Sequence, residues 1–413
     1  MTGGDLSLTS GLLRPDPLEV AAGFMVGKVP SRTEPFQQEG EGHHLSARQT
    51  LEHLILNAVL RPPCVVDFSG GRDSSVILAV AAHVARQHGL PLPVPFTRRY
   101  PLEPMAEESS WQEMVIKHLR LPDWERTELT NELDLVGQRA QQVLRRYGLL
   151  LPAPMYHWTL SFEMARGGSH LTGEGGDEFF GLYRARTALA SLRHPRRLLH
   201  RRPVASFLSD IAPRPARTWW LRRSYLSTSP LPSRPWMTPE AIRRLCDRYA
   251  AQEGAEPFSW KRALLWQLSH RYLAAIQQNG KVIAANYDVF HLDPFLDASF
   301  VSALGRSAGV FGFVDRAQAM TFVAGDLLPA SLLRRTTKGG FNGAYFTDIS
   351  RAYAGTWDGR GIDLQLVDPQ ALKCEWSKPV PSALSTALLQ AAWMAQHNVP
   401  IAGTGPRPAT TQV

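Results

Sequence analysis

Val65-Val66-Asp67-Phe68-Ser69-Gly70-Gly71-Arg72-Asp73-Ser74-Ser75 decides the fold of this chain. A β-branched pair leads into two glycines, which open into Val76-Ile77-Leu78-Ala79-Val80-Ala81-Ala82, an apolar run containing good helix formers. Strand, glycine-rich turn and helix in that order build a phosphate cradle. The glycines let the main chain come close to an anion, and the first free N–H groups of the helix point at it. The stretch is not a Walker loop, because it contains no lysine and no Gly-Lys-Ser/Thr follows. An ordinary strand-to-helix turn would use its glycines only to end the strand. It would have no need of serines and an aspartate at these spacings.

The type Ser-Gly-Gly-x-Asp-Ser resembles the pyrophosphate loop of enzymes that cleave ATP between the α and β phosphates. That resemblance implies nucleotide contacts from Ser69, Gly70, Gly71, Ser74 and Ser75, with Asp73 holding the magnesium ion beside the departing pyrophosphate. A second constellation, His170-Leu171-Thr172-Gly173-Glu174-Gly175-Gly176-Asp177-Glu178-Phe179-Phe180-Gly181, is another strand end followed by glycines and carboxylates. Together the two resemble the synthetase domain of asparagine synthetase and its relatives, the β-lactam synthetases and lasso-peptide cyclases. The resemblance runs from about Ser46 to about His397. It implies an α/β fold of the adenine-nucleotide α-hydrolase type, with a parallel sheet, a pyrophosphate loop and a helical C-terminal half. It implies a second magnesium ligand in Asp177, a nucleotide contact at Gly173, and Glu174 beside the attacking amine. The β-lactam-forming relatives usually carry a tyrosine at that last position, so Glu174 leans toward amide formation. Glu178 also fits a plain helix-capping role.

A third piece lies in Leu328-Pro329-Ala330-Ser331-Leu332-Leu333-Arg334-Arg335-Thr336-Thr337-Lys338-Gly339-Gly340. It is similar to the family's Leu-Pro…Arg-x-x-Lys-Gly segment, whose lysine reaches the reaction centre. Only seven lysines occur in the chain, so Lys338 stands out, although a solvated lysine beside a Gly-Gly turn is the plainer alternative. A lysine aimed at charge developing in a water-poor site stabilises the transition state by several kcal/mol. Weaker matches fill the gaps. Pro93-Val94-Pro95-Phe96-Thr97 reads as the second strand, with Thr97 and Arg98 at its carboxyl end beside adenine and ribose. In Ala106-Glu107-Glu108-Ser109-Ser110-Trp111, Glu107 stands where an aspartate is common. Asp293-Pro294-Phe295-Leu296-Asp297 matches the family's Pro-Phe-Leu-Asp, with Leu292 replacing the usual preceding arginine.

A chain of 413 residues, 44% hydrophobic and 20% charged, has ordinary globular composition and can bury more than one core. Cys64, Cys246 and Cys374 show no metal spacing, which points to a reducing compartment and a cytoplasmic protein. No signal peptide is evident, and no apolar run approaches the ~20 residues of a membrane span. The expected organisation is an N-terminal extension or loosely docked arm over 1–45, then an ATP-pyrophosphatase α/β core over 46–183. An arginine-rich insert over 184–259, a helical C-terminal part over 260–401 and a disordered tail over 402–413 follow.

Arg184 to Arg223 holds eleven arginines and a single acid, Asp210, and underlies the net charge of +8. No nucleic-acid module accompanies that charge, so a solvated face or a lid over the substrate is the preferred role, with an acidic peptide or carrier-protein partner as an alternative. Glutamine-using asparagine synthetases begin with an amidohydrolase domain whose nucleophile is an amino-terminal cysteine. Here Met1 is followed by Thr2, and only 68 residues precede Ser69, too few for such a domain. Nitrogen is therefore expected from ammonia, a separate glutaminase, or an amine already on a substrate. The resulting expectation is an ATP-dependent, AMP- and pyrophosphate-forming carbon–nitrogen ligase of specialised or amino-acid biosynthesis. It joins a small-molecule or peptide carboxylate to ammonia or an amine, alone or with a peptide-binding partner. A lasso-type macrolactam synthetase, a tRNA-modifying ATP pyrophosphatase and a non-catalytic nucleotide-binding regulator are the alternatives; the second motif argues against the RNA enzyme, and intact Asp73, Asp177 and Lys338 against the regulator.

Overall fold

Val65 and Val66 are completely buried, because the strand that carries them is the middle of the sheet. The computed structural model describes residues 11–29, 45–181, 183–193, 208–228, 234–337 and 339–399. Strand β1 (Cys64–Asp67) pairs with β2 (Val94–Arg99) on one side and, further along the chain, with β4 (Ser169–Leu171) on the other. The edge strands are β3 (Glu125–Glu128) beside β2 and β5 (Phe290–Leu292) beside β4, and every pairing is parallel. Parallel neighbours need long crossovers, and these cover the faces of the sheet. The crossover helix Arg72–Gln87 buries eleven of its sixteen residues, so it is a core helix rather than an amphipathic surface one. Helix Ala47–Val59, started by a Ser46–Gln49 capping box, packs against it. The Glu-Arg-Thr-Glu sequence of β3 suits an edge, where charge discourages further pairing.

The α/β fold expected from the two glycine motifs is the one found. The order β3-β2-β1-β4-β5 also locates the site. The chain adds strands on one side of β1 and then returns to add β4 and β5 on the other. Ligands of open parallel sheets bind outside the carboxyl ends at such a reversal. Both glycine motifs follow the two strands that flank it.

Three sequence expectations differ from the structure. The sheet does not end near Tyr183: β5 comes from the segment expected to be helical, and its Phe290–Leu292 lies in register with Ser169–Leu171. A three-residue strand followed at once by Asp-Pro carries too little pattern to read. Residues 11–29 are not loosely docked. Helix Pro17–Ala22, capped by Asp16, buries Leu18, Ala21 and Ala22 in a second core with Leu245, Trp376 and Trp393. The Trp236 indole donates to the Ala21 carbonyl at 2.8 Å, and Arg271 pairs with the buried Glu19. In the arginine-rich region, Arg214, Arg222 and Arg223 are exposed, as a solvated face would be, but Arg184 and Arg217 depart from it. Arg184 donates to the carbonyls of Ala212 and Glu256, and buried Arg217 pairs with Glu256 at 2.8 Å, tying successive helices together. Residues 1–10 and 400–413 lie outside the described residues. Among the described residues no helix is long and apolar enough to cross a membrane.

Candidate active site

A cleft of about 300 Å³ opens at the carboxyl ends of β1, β2 and β4. Its first wall is the turn between β1 and helix Arg72–Gln87. Gly70 lies in the left-handed region at φ +82°, which turns the chain between Ser69 and the helix. The serines fasten the turn to itself. Ser74 Oγ lies 3.2 Å from Ser69 Oγ and donates to the Gly71 carbonyl, and the Gly71 N–H donates to Ser69 Oγ. Ser69, Gly71, Arg72, Asp73 and Ser74 line the cleft. Ser75 does not: it is fully buried and its hydroxyl donates to the Gly71 carbonyl at 2.7 Å, so it shapes the cradle from behind.

The second wall is the turn after β4. Gly173, Glu174, Gly175, Asp177 and Glu178 all line the cleft. A Cβ on Gly173 would stand 2.7 Å from the Ser74 nitrogen, so only glycine lets the two turns meet this closely. That contact brings Asp73 and Asp177 within reach of one guanidinium. Arg316 Nη2 lies 2.6 Å from both carboxylate oxygens of Asp73, and its Nη1 bonds Asp177. Although burial opposes its charge, the two carboxylates hold Arg316 firmly protonated. Glu178 behaves differently, with burial raising its carboxyl above the ordinary value and its Oε1 accepting from Tyr272 at 3.1 Å.

The remaining wall comes from β2 and the late segment. Phe96 and Arg98 line the cleft but Thr97 does not, since successive side chains of a strand face opposite ways. Thr97 is buried, donating to the Phe68 carbonyl at 2.7 Å and accepting from the Trp124 indole. The nucleotide contact expected of Thr97 is thus replaced by a brace under the first turn. Arg335 braces it from the other side. Its guanidinium pairs with Glu108, donates to the Gly70 carbonyl and lies over the Trp111 ring. Thr337 and Gly339 line the cleft, while Lys338 between them lies outside the described residues. Glu107, singled out from sequence, accepts from the Ser109 N–H at a helix start, and Glu108 is the acid in the cleft wall.

From the cleft floor, which Asp67 and Arg98 line, a chain of charge that no local pattern announced runs back into the sheet. Asp67 pairs with Arg98 at 2.6 Å and lies 3.2 Å from His170. His170 and His291 face each other across β4 and β5 with their Nδ1 atoms 3.0 Å apart, and His291 lies 3.3 Å from Asp293. Asp293 also accepts from Thr172, at the start of the second wall. Burial opposes ionisation of Asp67, but Arg98 and His170 hold its carboxyl far below the ordinary range.

The cleft therefore presents an anion cradle beside two carboxylates that share a cation. The donor set fits magnesium, which is typically bound through one or two carboxylates with phosphate oxygens and water completing its shell. The cation already seated between Asp73 and Asp177 is the stand-in that tests this fit. No curated protein matches the chain in sequence. The family model for asparagine synthase, by contrast, matches residues 50–395, a span that takes in both glycine turns, the helix of Arg316 and the brace of Arg335. On that match the chain belongs to the asparagine synthase family of ATP-dependent ligases.

Proposed function

We propose that the chain activates a carboxylate with ATP, releasing pyrophosphate, and then joins the acyl group to an amine, releasing AMP. The observation that carries this reading is the meeting of an anion cradle with two carboxylates on one side of the cleft. A carboxylate oxygen of the substrate attacks the α-phosphorus, and the bond to pyrophosphate breaks. The Ser69 to Ser74 turn holds the leaving group through hydroxyls and main-chain N–H groups, which exchange their bonds within the turn for phosphate oxygens. Asp73 and Asp177 are the residues that would hold magnesium, which when bound neutralises charge on the leaving pyrophosphate. An amine then attacks the acyl carbon and AMP departs. Glu174, in the cleft wall, orients the amine or accepts its proton, and Lys338 stabilises the oxyanion.

Ammonia or a substrate amine fits this chain better than glutamine, whose hydrolysis needs an activated thiol. None of the three cysteines lines the cleft, and burial pushes the Cys64 thiol up to about 11. A separate glutaminase could still deliver ammonia. The free cysteines agree with a cytoplasmic location. One observation favours a peptide substrate and a macrolactam product. A second, wider cleft is lined by Lys28, Arg214, Arg248 and Arg262 around Trp266, a surface suited to an acidic peptide or to a partner that presents one.

The half-reactions separate by mutation. Glu174→Gln should keep ATP–pyrophosphate exchange while amide formation falls by about a hundredfold or more. Lys338→Ala should do the same if the lysine serves acyl transfer, and lose both if it serves the α-phosphate. Near wild-type amide formation by both variants would move the catalytic centre elsewhere.

A further inference from the structure

Arg316 sits where a metal ion would have to go. One guanidinium holds both carboxylates, with two contacts of 2.6 Å to Asp73 and one to Asp177. It begins the helix Arg316–Ala324, whose first turn is capped by Asp315. A cation at a helix N-terminus opposes the helix dipole, so the two carboxylates are what keep it there. The guanidinium is also incompletely satisfied, since its Nε–H is buried with no hydrogen-bond partner among the described residues. Arg72, in the same cleft wall, adds a second cation that senses Asp73 and Asp177.

These charges set unequal terms for metal with and without nucleotide. Free magnesium gives up its water reluctantly, and would have to evict Arg316 from both carboxylates without bringing an anion in exchange. A metal–nucleotide complex brings its own oxygens. The planar fork of an arginine fits phosphate as well as carboxylate, and the idle Nε–H supplies a further donor.

We propose that Arg316 is a built-in counter-cation that closes the carboxylate pair to free divalent metal, so that metal enters only together with a nucleotide whose phosphates take over the guanidinium. The idea rests on the reading of Asp73 and Asp177 as metal ligands. It makes binding ordered, and protects the cleft from metal that carries no substrate.

The test follows Mn2+ by electron paramagnetic resonance in the full chain, with and without α,β-methylene-ATP, so that no turnover is needed. Wild-type protein should bind Mn2+ tightly only with the nucleotide. Arg316→Gln should tighten nucleotide-free Mn2+ binding by roughly tenfold or more. Arg316→Lys should stay close to wild type, and adding Asp73→Asn to Arg316→Gln should abolish the gain. Tight nucleotide-free binding by the wild type would overturn the proposal, and needs no variant. An unchanged Mn2+ affinity in Arg316→Gln with an undisturbed melting temperature would overturn it too, as would a gain that survives Asp73→Asn. If instead these metal results hold while no carboxylate supports pyrophosphate exchange, the ligase reading fails and the counter-cation stands.

Discussion

Two pairs of carboxylates lie at the carboxyl end of this sheet, one at and behind the floor of the cleft and one nearer its mouth, and they are neutralised in opposite ways. The lower pair, Asp67 and Asp293, is held by Arg98, Ser161, His170, His291 and Thr172, groups spread over three strands, a helix and the turn after β4. The upper pair, Asp73 and Asp177, shares Arg316 at the mouth of the cleft, and the Asp177 side chain is half exposed. Charge removed from water must be compensated, and in the lower tier the compensation is built into the strand register. In the upper tier Arg316 bridges both carboxylates from outside the sheet, and a single side chain can leave. The lower tier is scaffold and the upper tier is exchangeable, although both are made of aspartates and arginine.

The largest effect that could break this distinction is on turnover. Asp73→Asn or Asp177→Asn should reduce pyrophosphate release by about a thousandfold or more, because a metal-ligand charge is lost while shape is kept. For Asp177→Asn, whose carboxylate is half exposed, stability should change by no more than about 1 kcal/mol, since Arg316 retains Asp73. A melting-temperature loss as large as that of the lower-tier variants would erase the contrast.

Asp67→Ala should have the reverse signature. It leaves Arg98 mostly buried without its carboxylate, a change that destabilises by about 3 kcal/mol. Denaturant titration measures this directly, and a loss below about 1 kcal/mol would mean that the lower tier is not scaffold.

The smallest effect sharpens the comparison through pH. Burial lowers the pKa of His170, so the unfolded chain takes up that proton first. Stability should therefore fall as pH drops below the ordinary histidine value of about 6.5, by at most about 1.4 kcal/mol per pH unit for one group. Asp67, whose folded pKa is depressed, contributes stability above the ordinary aspartate value of about 3.9 and loses it only below that. His170→Gln should thus make the stability profile less steep between pH 6.5 and pH 5, where His157 and His270, each pushed down by burial to about 3, supply further slope, while Asp73→Asn leaves it unchanged. Parallel profiles for wild type and His170→Gln would assign the slope to another group.

The upper tier was largely legible in the sequence and the lower tier was not. Gly70, Gly173 and Asp73 could be read because a tight turn, a close approach of two turns and a carboxylate beside a helix start each demand particular residue types at short spacing. Asp67 pairs with His170, and His170 with His291, across strands more than a hundred residues apart, where only register brings the side chains together. Arg316 escaped for a related reason: nothing around Val314-Asp315-Arg316 marks it, and its role exists only because a distant helix start aims it at Asp73. Thr97 and Glu107 were each misplaced by one residue. A strand alternates its faces, so the cleft took Phe96 and Arg98; a helix start used Glu107 as a cap and left Glu108 to the cleft.

The chemistry at the upper tier is tested most directly by the fate of the ATP phosphates. Purified protein with magnesium, ATP and labelled pyrophosphate is offered a panel of amino acids, small carboxylic acids and peptides, and the nucleotides are followed by label and by phosphorus NMR. The expected result is carboxylate-dependent entry of label into ATP, with AMP and pyrophosphate as products once an amine is added, and loss of both signals in Asp73→Asn. Formation of ADP and orthophosphate, or label exchange that persists in Asp73→Asn, would contradict it.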